Sequence, residues 1–219
     1  MLINQNKAQT TFSVAAGANQ TGSFVVNGLR IDHARDGMIR QIVRPFFAVN
    51  MEKKINNKWS FGLQAQVQKK GLMLLQKYLS PLSDVLIYDE FSALYLDFSP
   101  TIIYNFSKYA NIYTGVSTSI KLRETYCTYN TPKVKSPYNT FTPFDIGYVF
   151  GLKGHIKSFG IYIQCTNSMF SVLSSDLQTR YPMFFYEQFK NPNPTKYFNQ
   201  TLQVGLDIPF ETFKKVRKS

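Results

Sequence analysis

The feature that most limits what this chain can fold into is a period of two, clearest near the end. From Lys196 to Phe210, the residues Phe198, Leu202, Val204, Leu206, Ile208 and Phe210 fall on one parity. Asn199, Thr201, Gln203, Gly205 and Asp207 fall on the other, and only Gln200 and Pro209 break the pattern. Successive side chains of a strand point to opposite faces, so this is a strand with one apolar and one polar face. It exceeds the ~5–6 residues of an average strand and fits the roughly 9–11 with which a tilted strand crosses a bilayer.

The same device recurs along the chain. A first strand, Thr10 to Asn19, sets out Phe12, Val14 and Ala16; a second, Ile39 to Met51, places Val43, Phe47, Val49 and Met51 opposite Arg40, Arg44, Ala48 and Asn50. In the third, Trp59, Phe61, Leu63, Ala65 and Val67 alternate with Ser60, Gly62, Gln64, Gln66 and Gln68. The fourth ends near Phe106, with Leu94, Leu96, Phe98, Ile102 and Tyr104 opposite Tyr95, Asp97, Ser99, Thr101 and Asn105. Strands over Ile112–Leu122, Phe144–Lys153 and Phe159–Thr166 complete a set of eight with the closing stretch.

Between them, long connections (the glycine-containing loop to Gly37, Lys70–Tyr88, Arg123–Thr142, Asn167–Thr195) alternate with short turns near Lys53–Asn57, Ser107–Ala110 and His155–Ser158. An even strand count with this asymmetry predicts an all-β, eight-stranded antiparallel transmembrane barrel of the outer-membrane type, with long extracellular loops and short periplasmic turns. The barrel is expected over residues 10–210, between a short segment 1–9 and a basic tail 211–219.

Composition decides which face meets lipid. Only 17% of residues are charged, against a typical ~25%, and the polar parity is mostly Gln, Ser, Thr, Asn and Gly. That is a poor exterior for a lipocalin-like barrel in water and a natural hydrated lumen. Gly62, Gly115, Gly147, Gly151, Gly160 and Gly205 lie on it, making room for bulky inward neighbours in a tightly curved wall. Trp59, Phe61, Tyr104, Phe106, Phe159 and Phe210 gather at strand ends as in interfacial girdles. Pro45 and Pro100 run against the pattern, because a closed barrel has no edge strand to excuse a missing donor.

No apolar run approaches the ~18 residues of a membrane helix. Met1 leads straight into the polar segment Asn4–Thr11, as expected of a mature outer-membrane protein whose leader has been removed. The net charge of +12 comes from lysines scattered singly or in pairs, without a nucleic-acid-binding motif, so no nucleic acid is expected. Cys127, in a loop, and Cys165, on a strand, lack metal-ligand spacing; a disulfide is compatible with them, and two free thiols are the expectation. His33 lies near Asp32 and Asp36, and His155 at a turn, but there is no Gly-x-Ser-x-Gly elbow and no metal-ligand pair. A non-enzyme without a cofactor is expected.

Two sets of charges carry the functional reading. Inward parity supplies Arg44, Lys121 and Lys153 with Asp97, Asp145 and Asp207. Strand direction puts Lys121 level with Asp145, Arg44 with Asp97, and Lys153 with Asp207, which predicts a paired network, since unpaired buried charge is costly. With Gln64, Gln66, Tyr113 and Tyr162 it is expected to fill the lumen, as eight strands leave room only for side chains. On the short-turn side, Lys53, Lys54, Lys58, Lys108 and Lys157, with Lys214, Lys215, Arg217 and Lys218 of the tail, form a basic rim suited to an acidic periplasmic partner. Arg30, Arg35, Lys69, Lys70, Lys77, Lys133, Lys135, Arg180 and Lys190 are expected to face outward, where lipopolysaccharide phosphates lie.

The order of these pieces resembles the PorT-like family of small outer-membrane β-barrels of the Bacteroidetes, over Phe12 to Phe210. The stretches that carry the resemblance are SFGLQAQVQKKG (Ser60–Gly71), LYLDFSPTIIYNF (Leu94–Phe106), IYTGVSTS (Ile112–Ser119), FDIGYVFGLKG (Phe144–Gly154) and NQTLQVGLDIPF (Asn199–Phe210). The resemblance implies a single eight-stranded barrel in the bacterial outer membrane, no cofactor and, as for the family's namesake, a part in type IX protein secretion. The terminal Phe usual for recognition by the assembly machinery corresponds to Phe210, here followed by ETFKKVRKS. A structural or interaction barrel in envelope assembly or secretion is the leading expectation, and a small channel or a lipid-modifying enzyme the alternative.

Overall fold

The computed structural model describes residues 10–27, 30–33, 39–40, 42–80, 83–128, 134–135, 140–156, 159–170, 172 and 196–210. They form one sheet of β1 (Thr10–Asn27), β2 (Arg30–His33), β3 (Ile39–Arg40), β4 (Ile42–Lys54), β5 (Trp59–Ser80), β6 (Ser83–Asn105), β7 (Ala110–Thr128), β8 (Val134–Lys135), β9 (Phe144–Ile156), β10 (Phe159–Ser168) and β11 (Lys196–Pro209). Eight are staves: β1, β4, β5, β6, β7, β9, β10 and β11, each antiparallel to its neighbours. β11 returns to β1 in a register running from Ser13↔Pro209 to Val26↔Lys196. The sheet therefore closes, and closure removes the unpaired edges that an open sheet would present. β2, β3 and β8 are short ladders added to β1, β5 and β7.

The turn residues explain the short connections. Asn56 Oδ1 accepts from the backbone N–H groups of Lys58 (2.8 Å) and Trp59 (2.9 Å), and Ser107 Oγ from those of Tyr109 (3.1 Å) and Ala110 (3.0 Å). Side-chain oxygens that bind the backbone two and three residues on stabilise tight turns.

Facing follows parity. On β9, Phe144, Ile146, Tyr148, Phe150 and Leu152 are exposed while Asp145, Gly147, Val149 and Gly151 are buried. Exposure reaches 63% at Val43 and 66% at Phe144, and Phe47, Val116, Ile163, Val204 and Leu206 share the same outer surface. Water-soluble monomers rarely expose contiguous apolar patches beyond a few hundred Å², whereas an apolar belt around a polar interior is what lipid requires. The fold is an outer-membrane-type barrel. At the short-turn end, Trp59, Phe106, Phe159 and Phe210 are exposed, and the Trp59 and Tyr104 rings lie 4.8 Å apart, an aromatic girdle at one interface.

The outer end departs from the sequence reading. The segment Lys70–Tyr88, expected to be a loop, is mostly strand: β5 and β6 stay paired from Lys69↔Leu94 to Ser80↔Ser83. The apolar run Leu72–Leu75 obscures the period of two there, although the ladder continues. At ~3.3 Å per residue, the ladder beyond Gln68 adds on the order of 40 Å of strand. β7 likewise runs through Cys127, which is in a strand and not a loop; neither it nor Cys165 forms a disulfide among the described residues. The prolines sit where donors are not needed. The β4–β5 ladder begins at Phe46, just after Pro45, and the β6–β7 ladder skips from Phe98↔Thr118 to Thr101↔Gly115, leaving out Pro100.

Candidate functional site

Among the described residues the wall encloses the lumen, and the inward parity fills it in layers. Near mid-height Ala15, Phe46, Ala48 and Tyr162 form an apolar cluster, with the Phe46 and Tyr162 rings edge to face at 6.1 Å. Glycine makes this packing fit. A Cβ at Gly205 would stand 2.8 Å from Phe46 Cζ and 3.0 Å from Tyr162, and one at Gly151 only 2.2 Å from the Tyr113 ring. Phe46 was hidden in the sequence because its parity neighbours, Arg44, Ala48 and Asn50, gave no apolar signal.

Amides cross the lumen beside this cluster. Tyr113 OH donates to Gln164 Oε1 (3.0 Å), and Gln164 Nε2 donates to Gln203 Oε1 (2.8 Å) and Gln64 Oε1 (3.3 Å). Gln203 Nε2 (3.0 Å) and Asn19 Nδ2 (2.6 Å) both donate to Gln68 Oε1, and Gln68 Nε2 donates to Asp97 Oδ2. Six strands are thereby tied across the interior, which amide side chains can do because each carries donor and acceptor.

The charges pair differently from the expectation. Lys153 and Asp207 do meet, and Asp207 also accepts from Ser13 Oγ (2.6 Å) and Asn50 Nδ2 (2.7 Å). Arg44, however, pairs with Glu90 and not with Asp97. Asp97 is bound instead by Lys70, whose Nζ lies 3.1 Å from Asp97 Oδ2, 3.9 Å from Asp145 Oδ2 and 2.7 Å from Ser119 Oγ. Lys70 was expected to face outward toward lipopolysaccharide; it is 2% exposed and inside the lumen. Ser168 Oγ donates to Asp145 Oδ2 at 2.7 Å. One ammonium thus serves two buried carboxylates.

Nor does Lys121 pair with Asp145. β7 is bulged at Leu122, which is left unpaired opposite Leu94 and Tyr95 of β6, since Leu94 faces Arg123 and Tyr95 faces Lys121. An extra residue reverses the parity beyond it. Glu124, outward by simple counting, therefore turns inward, and Lys121 Nζ reaches Glu124 Oε2 at 2.9 Å. This pair holds a strap at the outer end of the lumen wall. Glu124 accepts from the backbone N–H groups of Thr140 (2.8 Å) and Phe141 (3.5 Å), and Lys121 Nζ donates to the Phe141 carbonyl. The Thr142 N–H donates to the Val172 carbonyl at 2.9 Å. Phe141 (1% exposed) and Val172 are buried, as are Phe91, Ala93 and Tyr95 of β6, and the Phe91 and Tyr126 rings lie tilted with their centroids 4.8 Å apart. Thr140–Thr142, at the end of the expected loop Arg123–Thr142, is thus bonded to the inner wall.

Among the described residues the inner end is open. A cavity of about 300 Å³ is lined by Ser13, Asn50, Glu52, Gln64, Asn111, Tyr113, Lys153, His155, Tyr162 and Asp207, all near the short turns. Outside it, Lys53, Lys54, Lys58 and Lys108 are exposed as the basic rim requires, with Lys108 Nζ 4.8 Å from the Tyr109 ring centroid. Lys157 and the tail lysines lie outside the described residues, as do Arg35, Lys133, Arg180 and Lys190. Among the remaining residues expected to face outward, Lys135 is exposed, Lys69 half-buried, and Arg30 and Lys77 belong to the backbone ladders of β2 and β5. Among the described residues no cluster of His, Cys, Asp and Glu could hold a metal ion.

No family model matches the sequence, and no curated protein does. Solved structures of similar architecture include Ail, the attachment invasion locus protein of Yersinia pestis, crystallised with the heparin analogue sucrose octasulfate. It is 12% identical, with 92% of this chain and 99% of that chain covered and a TM-score of 0.46. Neisserial surface protein A is 12% identical over 91% of this chain and 98% of its own, TM-score 0.40. OprG from Pseudomonas aeruginosa is 10% identical over 93% and 97%, TM-score 0.37.

Proposed function

We propose that this chain is a non-conducting barrel of the bacterial outer membrane that acts through protein contacts, as a non-catalytic component of envelope assembly or protein secretion. The observation that carries this reading is the outer mouth, where Lys121 and Glu124 hold Thr140–Pro143 over an apolar layer. A barrel closed in this way offers its surfaces, and not a passage, to the cell. The exposed lysines at the short-turn end, Lys53, Lys54, Lys58 and Lys108, form the surface best suited to an acidic periplasmic partner, because complementary charge speeds and orients encounter. The PorT-like resemblance makes type IX secretion the first machinery in which to seek that partner, and lipopolysaccharide phosphate remains a candidate contact of the exposed outer Lys135.

Charge reversal of Lys53, Lys54 and Lys58 to Glu is the test. Co-purification from native membranes should lose a periplasmic partner while the barrel stays folded and heat-modifiable. Unchanged partner recovery would remove the rim from the account, and lipid hydrolysis by the lone purified protein would replace the account with an enzymatic one.

A further inference from the structure

The cavity at the short-turn end is blind. Toward the outside it ends at Tyr113, Gln164 and Tyr162, which belong to the amide and aromatic layers that fill the lumen. A blind, partly enclosed cavity of about 300 Å³ stands at the lower end of the ~300–1,000 Å³ typical of small-molecule sites. Its wall is polar but not uniformly satisfied. Asn111 is 1% exposed; its Nδ2 donates to His155 Nε2 at 3.0 Å, and its Oδ1 has no hydrogen-bond partner among the described residues. Buried acceptors left unpaired are costly, so a ligand or water donor is called for at that atom.

The charges narrow the ligand class. Lys153 is engaged with Asp207, which is further saturated by Ser13 and Asn50. Glu52 adds a carboxylate at the mouth, with no ion-pair partner among the described residues, and Lys53, Lys54, Lys58 and Lys108 do not line the cavity. Among the described residues an anionic ligand therefore meets no free cation and one surplus carboxylate. Asn50, Gln64 and Asn111 supply donors and acceptors together, while Tyr113 and Tyr162 supply flat aromatic surface. Vicinal hydroxyls on a ring with apolar C–H faces match both features. We infer that this vestibule binds a neutral, hydroxyl-rich molecule the size of one sugar ring, presented from the periplasm. The inference stands independently of any secretion role.

Saturation-transfer NMR on the full chain in nanodiscs tests it, with glucose and N-acetylglucosamine as neutral probes and glucose 6-phosphate as the charged control. At least one neutral sugar should bind in the millimolar range, about tenfold more tightly than the phosphate. Asn111→Leu should weaken it about fivefold, the effect of one hydrogen bond, with Gln64→Leu in its place if the first variant does not fold. Glu52→Lys should narrow the gap between neutral and phosphorylated sugar. Absence of transfer to every probe at tens of millimolar, or transfer indifferent to both lumen variants, would overturn the assignment and leave a water-filled vestibule.

Discussion

At the outer end of the lumen Lys121 and Glu124 close over a strap and an apolar layer, whereas at the inner end Lys153 and Asp207 line an open cavity. Each is a lysine–carboxylate pair on the inner wall of the same barrel. The difference lies in what the carboxylate has left to bind. Glu124 takes two backbone N–H groups of the strap, so the pair immobilises a segment of chain; Asp207 takes Ser13 and Asn50 from the wall itself. One ion pair organises a connection and the other a surface. Between them sits a layer where charge is not balanced one to one, with Lys70 shared by Asp97 and Asp145.

That layer gives the largest expected effect. Lys70→Met leaves two buried carboxylates without their ammonium, and breaking a buried pair costs about 3–5 kcal/mol. Urea unfolding in lipid vesicles, read by tryptophan fluorescence and heat-modifiability, measures it; a loss below about 1 kcal/mol would mean that water or protons already compensate the layer. Next comes the wall. Val204→Arg, on the lipid face of β11, should cost about 2–4 kcal/mol near the bilayer midplane, while Gln203→Arg, one residue along and inward, should be governed by lumen packing. Equal bilayer folding of Val204→Arg and wild type would reverse the assignment of faces. The smallest effect belongs to the vestibule. Lys153→Met should cost only about 1–2 kcal/mol, because Asp207 retains its other donors and water can reach the cavity. If it matched Lys70→Met, the contrast between a sealed middle and an open inner end would fail.

The sequence carried the wall further than the site. Alternation marks each stave on its own, because a barrel strand has one lipid face and one lumen face over its whole length, and so strand number, closure and facing were legible. Which charges meet depends on register between strands, and one extra residue changes it. Leu122 is that residue: without the bulge, Glu124 counts as outward and Lys121 is assigned to Asp145. Lys70 was placed outside because the alternation fades at Gly71 and the apolar run that follows, although the ladder continues to Ser80. Phe141 gave no periodic signal at all, since a strap is held by backbone bonds to Glu124 and Val172 and not by a repeating face. Lys153 and Asp207 were placed together correctly because no irregularity separates the strands that bear them.

Whether the layered lumen is closed is the central question, and planar-bilayer recording of the purified wild-type protein addresses it most directly. The strap, the Lys70 layer and the amide bridge from Tyr113 to Asp97 are stacked along the described lumen, and the proposed function requires that together they block a continuous water path. The expected record is electrically silent after confirmed insertion, at either polarity. Stable, ohmic single-channel steps, reproducible between preparations, would contradict this and identify the barrel as a channel.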